Sequence, residues 1–432
     1  MATNAKNLAE YLNNETTSAS ADIADGSITT AKLAAGAVTT AKVADNAVTS
    51  AKALNLGRRN LVINGAMQVA QRGTSTTGIT GSVNFICDRW GLQVSSLGTH
   101  TITQETLTSG NAYNDGFTKA FRVDCTTAKA SPTANDHIFF QQKIEAQNLQ
   151  HLAYGTSGAK ALTLSFWVKS NKTGTYEIMH YVSDSGRQVN STYTISSANT
   201  WEKKVLSIPA DTGGSGINND NGEGFRSIFY LAVGSTRQSG STPSSWSAYA
   251  VGNEAPSQTV NIGDSTANDW AITGYQLEVG SSATDFEHRS FQEELDLCHR
   301  YFYNGITANG SGNYSAFPIN FRNFVSTGNN GHIVFTVALP KPMRTIPTFT
   351  HDLANSNHAG SGTGANADNW QFYHQNQGWG SFAGNGNMNT LSRQGSSDAQ
   401  VQLGTYYISP NANSYDQLTI GSNRKFHFSA EL

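Results

Sequence analysis

Aromatic rings mixed with amides form the strongest chemical pattern in this sequence. Between residues 369 and 385, five aromatic side chains lie among asparagine, glutamine and glycine. Proteins bind sugars by placing aromatic rings against the C–H faces of the sugar, while planar amides hydrogen-bond to its hydroxyls. We therefore predict a glycan-binding site here. Its candidate residues are Trp370, Tyr373, His374, Trp379 and Phe382. In the alternative interpretation, Trp370, Phe372 and Phe382 are ordinary core residues.

A second aromatic candidate lies in a polar stretch near the middle of the chain. Trp246-Ser-Ala-Tyr249 follows the run Ser239-Gly-Ser-Thr-Pro-Ser-Ser. On a loop, these two rings would also suit the face of a sugar. The sequence leaves two interpretations open: Trp246 and Tyr249 bind a glycan, or a buried Trp246 anchors the loop.

A cluster of carboxylates raises the question of hydrolysis. A glycosidase needs two carboxylates roughly 5–10 Å apart across a cleft. Most of the clustered carboxylates occupy predicted turns or outward strand positions, and the rung repeat of a parallel β-helix is missing. The sequence also lacks the Gly-x-Ser-x-Gly, Walker, His-Glu-x-x-His and Cys-x-x-Cys motifs. We predict that the chain is not an enzyme. The clustered residues are Asp264, Asp269, Glu278, Asp285 and Glu287.

Composition argues against several other classes of protein. Charged residues make up 14% of the chain, the net charge is −3, and no stripe of lysine and arginine occurs, which disfavours nucleic-acid binding. Cys87, Cys125 and Cys298 are far apart and odd in number, so we expect buried free thiols. We predict no cofactor and no metal ion, while the oxygen-rich turns leave a structural Ca²⁺ open.

The elements that carry these residues are predicted to be mainly strands. Residues 57–289 alternate apolar and polar side chains between polar turns, which indicates half-buried antiparallel sheet. Residues 58–72 contain a further apolar strand run. We predict an all-β fold in which residues 57–289 form a jelly-roll-like β-sandwich with long loops at 210–224 and 234–247. The clearest alternations are Thr163–Lys169, Tyr176–Val182 and Trp270–Val279.

One helix and a second β region are predicted after the sandwich. Phe291, Leu295, Cys298 and Phe302 follow helical spacing, so residues 290–303 should form a connecting helix. Residues 304–432 return to strand patterns and are predicted to form a C-terminal β-sandwich tip. The Asn- and Gly-rich insert at 351–395 is predicted to be surface loop. The predicted strands of the tip are His332–Leu339, Val401–Ile408 and Lys425–Leu432.

A decapeptide repeats three times between residues 21 and 56. Its large aliphatic residues recur every five positions. A spacing of five fits neither one helix nor one strand, and units this short cannot bury such side chains by themselves. We therefore predict a thin stem in which several chains associate; a flexible linker is the alternative. The stem residues are Ile28, Leu33, Val38, Val43 and Val48.

The first 20 residues contain one short amphipathic pattern. Leu8, Tyr11 and Leu12 would lie on one side of one or two helical turns. We interpret residues 1–20 as an attachment peptide that docks through these side chains; a disordered tail is the alternative. We find no secretion signal and no apolar run long enough to cross a bilayer, so we expect synthesis in a cytoplasm and no membrane insertion.

Five further motifs accompany the repeats. They are Arg59–Gly73 (RNLVINGAMQVAQRG), Cys87–Trp90 (CDRW), Gln276–Gly280 (QLEVG), Ala283–Arg289 (ATDFEHR) and Cys298–Phe302 (CHRYF). Together with the repeats they resemble tail-fibre proteins of tailed phages, especially those of marine bacteria. The resemblance covers most of residues 1–303. It implies a homotrimeric fibre in which residues 21–56 form the stem, the sandwich is similar to carbohydrate-binding modules, and the C-terminal domain is the receptor-binding tip.

The resemblance also implies a function and a set of partners. Such a fibre belongs to the virion tail, with its N-terminus bound to a phage tail or adaptor protein. Its distal tip attaches the virion to a host surface receptor, a glycan or an outer-membrane protein, without covalent chemistry. Two alternatives remain: a structural or decorative virion protein, such as a head fibre or an adaptor, and a polysaccharide depolymerase.

Overall fold

The computed structural model of the protein describes side chains for residues 59–304, 339–348 and 427–432. Strand backbone is described for residues 315–316, 320–327, 330–338, 349–351, 371–374, 378–381, 392–396, 400–406, 417–420 and 426. Several predicted site residues lie outside the described residues. They are the attachment residues Leu8, Tyr11 and Leu12, the stem residues Ile28, Leu33, Val38, Val43 and Val48, and the aromatic residues Trp370 and Phe382.

Two antiparallel sheets pack face to face between residues 75 and 279. Their strands are β1 (Ser75–Ile79), β2 (Asn84–Phe85), β3 (Gly91–Ser95), β4 (Thr99–Thr106), β5 (Lys119–Thr127), β6 (His137–Glu145), β7 (Leu162–Ser170), β8 (Gly174–Val182), β9 (Arg187–Ile195), β10 (Glu202–Ile208), β11 (Glu223–Val233), β12 (Ser247–Ala248) and β13 (Asp269–Val279). The six-stranded sheet has the order β1-β4-β5-β13-β7-β10, and the seven-stranded sheet has the order β12-β9-β8-β11-β6-β3-β2. The predicted all-β fold is therefore confirmed.

The core lies between the two sheets and is rich in aromatic rings. The Trp90 ring stacks on Phe140 with 5.0 Å between centroids, and Phe166 meets Phe229 edge-on at 5.2 Å. All four rings are fully buried. The three clear alternations of the sequence form β7, β8 and β13, because a strand with period two buries one face against this core.

Residues 59–72 form turns and not the predicted strand run. Asn64 and Met67 have positive φ angles of 61° and 56°, which an extended strand does not allow. Asn64 stabilises the turn because its Nδ2 donates a 3.0 Å hydrogen bond to the carbonyl of Asp88. The apolar side chains of Val62, Ile63, Met67 and Val69 are nevertheless buried. The segment resembles a strand in sequence because it has buried apolar side chains, although its backbone forms turns.

The connecting helix is shorter than predicted and spans Phe291–Cys298. Ser290 and Glu293 form a capping box: the Ser290 Oγ accepts from the Glu293 N–H, and the Glu293 carboxylate accepts from the Ser290 N–H. The prediction of a helix over 290–303 is wrong at its end, because β14 (Phe302–Asn304) pairs with the last strand of the chain. Shorter helices are Asn111–Asn114 and the 3-10 helices Ala146–Leu152, Ser235–Gln238, Val251–Asn253 and Ile262–Asp264.

Strands continue after β14. They are β15 (Ser315–Ala316), β16 (Asn320–Thr327), β17 (Asn330–Ala338), β18 (Thr348–His351), β19 (Gln371–His374), β20 (Gly378–Ser381), β21 (Ser392–Ser396), β22 (Gln400–Tyr406), β23 (Gln417–Ile420) and β24 (Phe426–Ser429). They form sheets with the orders β14-β24-β18, β15-β23-β19-β20 and β16-β17-β22-β21. The three predicted strands appear as β17, β22 and β24. The insert at 351–395 contains β19 and β20, so its prediction as surface loop is wrong: backbone pairing with β23 overrides its polar composition.

The last residues of the chain return to the sandwich. Arg344 donates hydrogen bonds to the carbonyls of Ala430 (2.9 Å), Glu431 (3.0 Å) and Asn221 (3.0 Å). The Glu431 carboxylate forms an ion pair with Arg89 of the sandwich. Since β14 pairs with β24, the first and last strands of the C-terminal region lie side by side at this end of the sandwich.

Cys87, Cys125 and Cys298 are buried free thiols, as predicted. In the part of the chain that the structure describes, no helix combines the length and apolar character needed to cross a membrane.

Candidate functional site

A loop at residues 234–258 crosses the outer face of the seven-stranded sheet, and Trp246 anchors it. The Trp246 side chain is only 9% exposed, and its Nε1 donates a 2.7 Å hydrogen bond to the Pro209 carbonyl. Its ring packs edge-on against Tyr154 at 5.7 Å and Phe225 at 6.4 Å. The prediction of Trp246 as a glycan-binding residue is therefore wrong, because its ring fills the end of the core.

Two side chains of β9 fasten the far half of this loop. Gln188 accepts from the Ala250 N–H (2.8 Å) and donates to the Asn253 carbonyl (2.9 Å). The Asn190 Nδ2 donates to the carbonyls of Asn253 (2.9 Å) and Glu254 (3.0 Å). Both sheet side chains are buried. Buried hydrogen bonds of this kind are costly to break, so the loop is held in one conformation.

Glu254 joins the loop to the sheet beneath it. Its carboxylate accepts hydrogen bonds from the hydroxyls of Tyr230 (2.7 Å) and Tyr249, and it forms an ion pair with Arg237. Tyr230 is 1% exposed, whereas Tyr249 lies at the surface. Burial and the hydrogen bond to Glu254 raise the pKa of Tyr249 to about 12. The Tyr249 hydroxyl therefore stays protonated at neutral pH and keeps its ring oriented.

Two aromatic rings and one guanidinium lie together at the surface beside this loop. We call this surface, formed by Tyr181, Arg226 and Tyr249, the aromatic patch. Tyr249 is 42% exposed, and its ring centroid lies 5.5 Å from that of Tyr181 at an angle of 71°. Tyr181 and Arg226 are cross-strand partners on β8 and β11, and the guanidinium carbon lies 4.9 Å above the Tyr181 ring. The patch combines an apolar surface of fixed orientation with a hydrogen-bond donor.

This chemistry suits the recognition of a sugar. A pyranose can place its C–H face against the Tyr249 ring while its hydroxyls accept from Arg226. The Tyr249 hydroxyl already donates a hydrogen bond to Glu254, and this bond holds the ring in its orientation. Binding then costs little side-chain ordering, because the rings are held before the ligand arrives.

Sequence reasoning identified Tyr249 and missed Tyr181 and Arg226. The alternation in Tyr176–Val182 contained a signal for Tyr181: Tyr176, Ile178, His180 and Val182 are fully buried on one face of the strand, so Tyr181, in the opposite phase, lies on the other face. No local signal places Arg226 beside it, because that neighbour is set by the register between β8 and β11.

Four of the five clustered carboxylates are engaged in structural contacts, and Glu278 is only 3% exposed. The fifth, Asp285, is exposed. Among the described side chains, no group of three or more His, Cys, Asp or Glu residues is placed to hold a metal ion. The absence of enzymatic activity, cofactor and metal stays a prediction. Asp264 pairs with Lys172 (2.6 Å), Asp269 pairs with Arg122 (2.9 Å), Glu278 accepts from the Thr284 hydroxyl (2.6 Å), and Glu287 accepts from the Asn60 N–H (2.6 Å).

Four of the sequence motifs meet in a hydrogen-bonded network away from the aromatic patch. The Asn60 Oδ1 accepts from the Leu277 N–H at 3.1 Å, and Arg289 donates to the Asn60 carbonyl at 2.7 Å. The Trp90 Nε1 donates to the Asn64 carbonyl at 2.8 Å. These motifs therefore build the end of the sandwich on which the connecting helix lies.

The predicted aromatic site at 369–385 includes the β19–β20 hairpin. Tyr373 and Trp379 are direct cross-strand partners in its register, and His374 is paired with Gly378. β19 also pairs with β23, where Tyr373 lies opposite Gln417. The fold thus brings the backbone positions of three of the candidate residues together.

No protein-family model matches the chain, and no curated protein matches its sequence. Solved structures resemble about half of it. The enzymatically active domain of tailspike protein 4 from bacteriophage CBA120 is 16% identical with a TM-score of 0.26, covering 51% of this chain and 21% of that chain. A putative sugar binding protein from Bacteroides thetaiotaomicron is 11% identical with a TM-score of 0.27, covering 51% and 100%. A family 11 carbohydrate-binding module from Clostridium thermocellum, in complex with a mixed-linked tetrasaccharide, is 10% identical with a TM-score of 0.23, covering 50% and 98%.

Proposed function

We propose that this protein binds glycans without covalent chemistry and serves as a homotrimeric tail fibre that attaches a phage virion to its host. The observation that carries the glycan-binding part is the aromatic patch. Glu254 holds the exposed Tyr249 ring on an anchored loop, and Tyr181 and Arg226 lie beside it. Preorganised rings next to a donor are what a weakly hydrophobic, hydroxyl-rich ligand requires.

The geometry favours a chain of sugars over a small enclosed ligand. The two rings stand at 71° to one another, so one sugar unit can lie on the Tyr249 face while the next touches the edge of Tyr181. The patch lies on the outer face of the seven-stranded sheet, and the two carboxylates that contact it are engaged: Glu254 accepts from the hydroxyls of Tyr230 and Tyr249, and Glu223 pairs with Arg226 at 3.2 Å. This arrangement binds a saccharide and offers no free acid and base pair to cleave it.

Glycan arrays with the purified full-length chain test the proposal. Tyr249→Ala should weaken binding at least about tenfold, because truncating a central aromatic contact has effects of this size. Tyr113→Ala is the matched control: Tyr113 is 41% exposed, against 42% for Tyr249, but it lies on the short helix beside β10 of the other sheet. Equal binding by the Tyr249→Ala variant and the wild type would remove the patch from the proposal.

Attachment to the host is proposed to involve the C-terminal tip as well. Several fibres with three tips each raise the effective concentration at a cell surface, so individual sites can be weak. The double variant Tyr373→Ala, Trp379→Ala should abolish adsorption of purified fibres to host cells, through a glycan or an outer-membrane protein, while assembly of the fibre is unchanged. Unchanged adsorption would exclude this hairpin as the receptor site.

Two experimental outcomes would favour a different function. If neither the patch variants nor the hairpin variants alter adsorption, the chain is a structural or decorative virion protein. If incubation with host polysaccharide releases new reducing ends, the chain is a depolymerase. Immunogold labelling of intact particles tests its place in the virion tail and the contact of its N-terminus with a tail or adaptor protein.

A further inference from the structure

Three side chains form one row across the outer face of the seven-stranded sheet. Arg226 on β11 is the cross-strand partner of Tyr181 on β8 and also of Lys143 on β6. Residues that are directly paired on neighbouring strands share one face of the sheet and lie about 5 Å apart. The row Tyr181–Arg226–Lys143 therefore adds a second cation to the aromatic patch, about 10 Å from Tyr181.

The two cations of this row share a single carboxylate. Glu223 forms ion pairs with Lys143 at 2.9 Å and with Arg226 at 3.2 Å. The same carboxylate accepts a hydrogen bond from the Ser183 hydroxyl at 2.5 Å, so it is surrounded by donors. One negative charge balances only one of two positive charges, and the row therefore keeps one positive charge in excess.

In the part of the chain that the structure describes, no other carboxylate lies within ion-pair distance of this row. Glu254, the other carboxylate at the patch, is paired with Arg237. Asp184 follows Ser183 directly in the chain, but its carboxylate accepts from the N–H (2.9 Å) and the Nδ2 (3.1 Å) of Asn218. The excess positive charge therefore stays at the surface, where the Lys143 side chain is 24% exposed.

Arg226 has hydrogen-bond donors left for a ligand. Its Nε is the atom that lies near Glu223, and its guanidinium carbon lies above the Tyr181 ring. Its two terminal nitrogens form no hydrogen bond with any described residue, and its side chain is 27% exposed. A guanidinium with free terminal nitrogens can donate two parallel hydrogen bonds to one anionic group, an arrangement stronger than a bond between neutral groups.

We propose that the aromatic patch takes an anionic saccharide, whose carboxylate or sulfate group lies between Arg226 and Lys143. One sugar ring packs against Tyr249, and the anionic group accepts from the terminal nitrogens of Arg226 and from the Lys143 Nζ. The inference rests on the proposed glycan binding and names the ligand class of that same patch. Sugar carboxylates and sulfate esters share the required charge, and the experiment distinguishes between them.

Isothermal titration of the purified full-length protein tests the proposal with two matched pairs of probes. A galacturonate tetrasaccharide is compared with its carboxyl-reduced form, and a sulfated galactose tetrasaccharide with its desulfated form. In at least one pair, the anionic member should bind at least about tenfold more tightly, because hydrogen bonds between charged groups are stronger than those to neutral hydroxyls. The pair that shows the preference identifies the anionic group. Added salt should weaken binding of the anionic member.

Lys143→Gln tests the origin of the preference. It leaves Arg226 and Glu223 with balanced charges, and the preference for the anionic member should fall about threefold. Lys203→Gln is the matched control: it removes the same charge from β10 of the other sheet, where the Lys203 side chain is 41% exposed, and the preference should not change. An unchanged preference in Lys143→Gln, or equal losses in the two variants, would overturn the proposal.

The probes also separate failure of this inference from failure of the proposed function. Equal binding within both pairs, tighter binding of the neutral members, or no binding of any probe overturns the inference. If glycans of the array still bind the wild type and lose binding in Tyr249→Ala, the patch binds sugars without a preference for charge, and the proposed function stands. If no glycan binds through Tyr249, both proposals fail.

Discussion

The Tyr230 hydroxyl donates a 2.7 Å hydrogen bond to Glu254 Oε2. Tyr230 belongs to β11 and is 1% exposed, whereas Glu254 belongs to the loop above it. The same carboxylate accepts from the exposed Tyr249, so one buried group links the sheet to the aromatic patch. The orientation of the exposed Tyr249 ring therefore depends on a carboxylate that is itself held by a buried tyrosine.

Removal of the Tyr230 hydroxyl should destabilise the fold more than removal of the Tyr249 hydroxyl. Tyr230→Phe deletes a buried hydrogen bond to a charged group, and we expect a loss of about 1–3 kcal/mol in the free energy of unfolding. Tyr249→Phe removes a bond at the surface, where water replaces it. Urea denaturation measures both; equal losses would mean that Glu254 does not hold the loop as described.

Trp246→Ala should destabilise the protein by about 3–5 kcal/mol, because it empties the end of a core. Tyr249→Ala, three residues along the chain, should change stability little and glycan binding strongly. Urea unfolding and glycan-array binding on both variants separate the two roles. A stable Trp246→Ala variant that fails to bind would restore Trp246 as a binding residue.

Acidification should destabilise the protein between pH 7 and pH 5. Burial lowers the pKa of His100 to about 4 and that of His180 to about 3, below their ordinary value of 6.5. The unfolded chain then binds more protons than the folded chain as the pH falls through 6.5, so stability is full above that pH and is lost below it. We expect ~2 kcal/mol per histidine over this range, measured by urea denaturation.

His100→Leu provides the test of this pH dependence. Both ring nitrogens of His100 lack hydrogen-bond partners among the residues that the structure describes, so the variant should keep its stability at pH 7.5 and show a flatter dependence on pH. Asp88 acts in the opposite direction, because burial raises its pKa to about 6 and its ionisation opposes folding at higher pH. Burial also raises the pKa of Glu177, which acts as Asp88 does, but burial lowers the pKa of His137, His151 and His299 as well, so the histidines outnumber these carboxylates. A slope unchanged by His100→Leu would contradict the assignment.

Glu431→Gln should loosen the end of the chain. It leaves the buried Arg89 without its counter-charge, and we expect a loss of about 3 kcal/mol by denaturation. Asp296→Asn is the control, because its ion pair with Lys341 is exposed on both sides and should contribute nothing measurable. Similar effects of the two variants would argue against a buried ion pair at Glu431.

The intact chain should behave as a trimer in solution. Light scattering should give about three times the chain mass of 46.2 kDa. Deletion of Asp22–Asn55 should weaken assembly, since the aliphatic residues spaced by five would lose their partner chains. A stable monomer of the intact chain would contradict this architecture.

The alternation in Tyr176–Val182 predicted β8 because a strand that buries one face must repeat every two residues. The same reasoning failed for residues 59–72, where the turn depends on a hydrogen bond from Asn64 to the distant Asp88. It also failed at the end of the connecting helix, where Phe302 pairs with Ser429 far along the chain. A local sequence pattern carries no information about hydrogen-bond or strand partners so far away along the chain.

By itself, the sequence determined the all-β class, the burial of three free thiols and the loop that carries Tyr249. Composition and short-range periodicity are enough for these, because they express burial and turn chemistry. Only the tertiary structure decided that Trp246 is an anchor and Tyr249 the exposed ring, and that Tyr181 and Arg226 join it. Those roles depend on cross-strand register and on hydrogen bonds between residues distant in sequence, which no local pattern encodes.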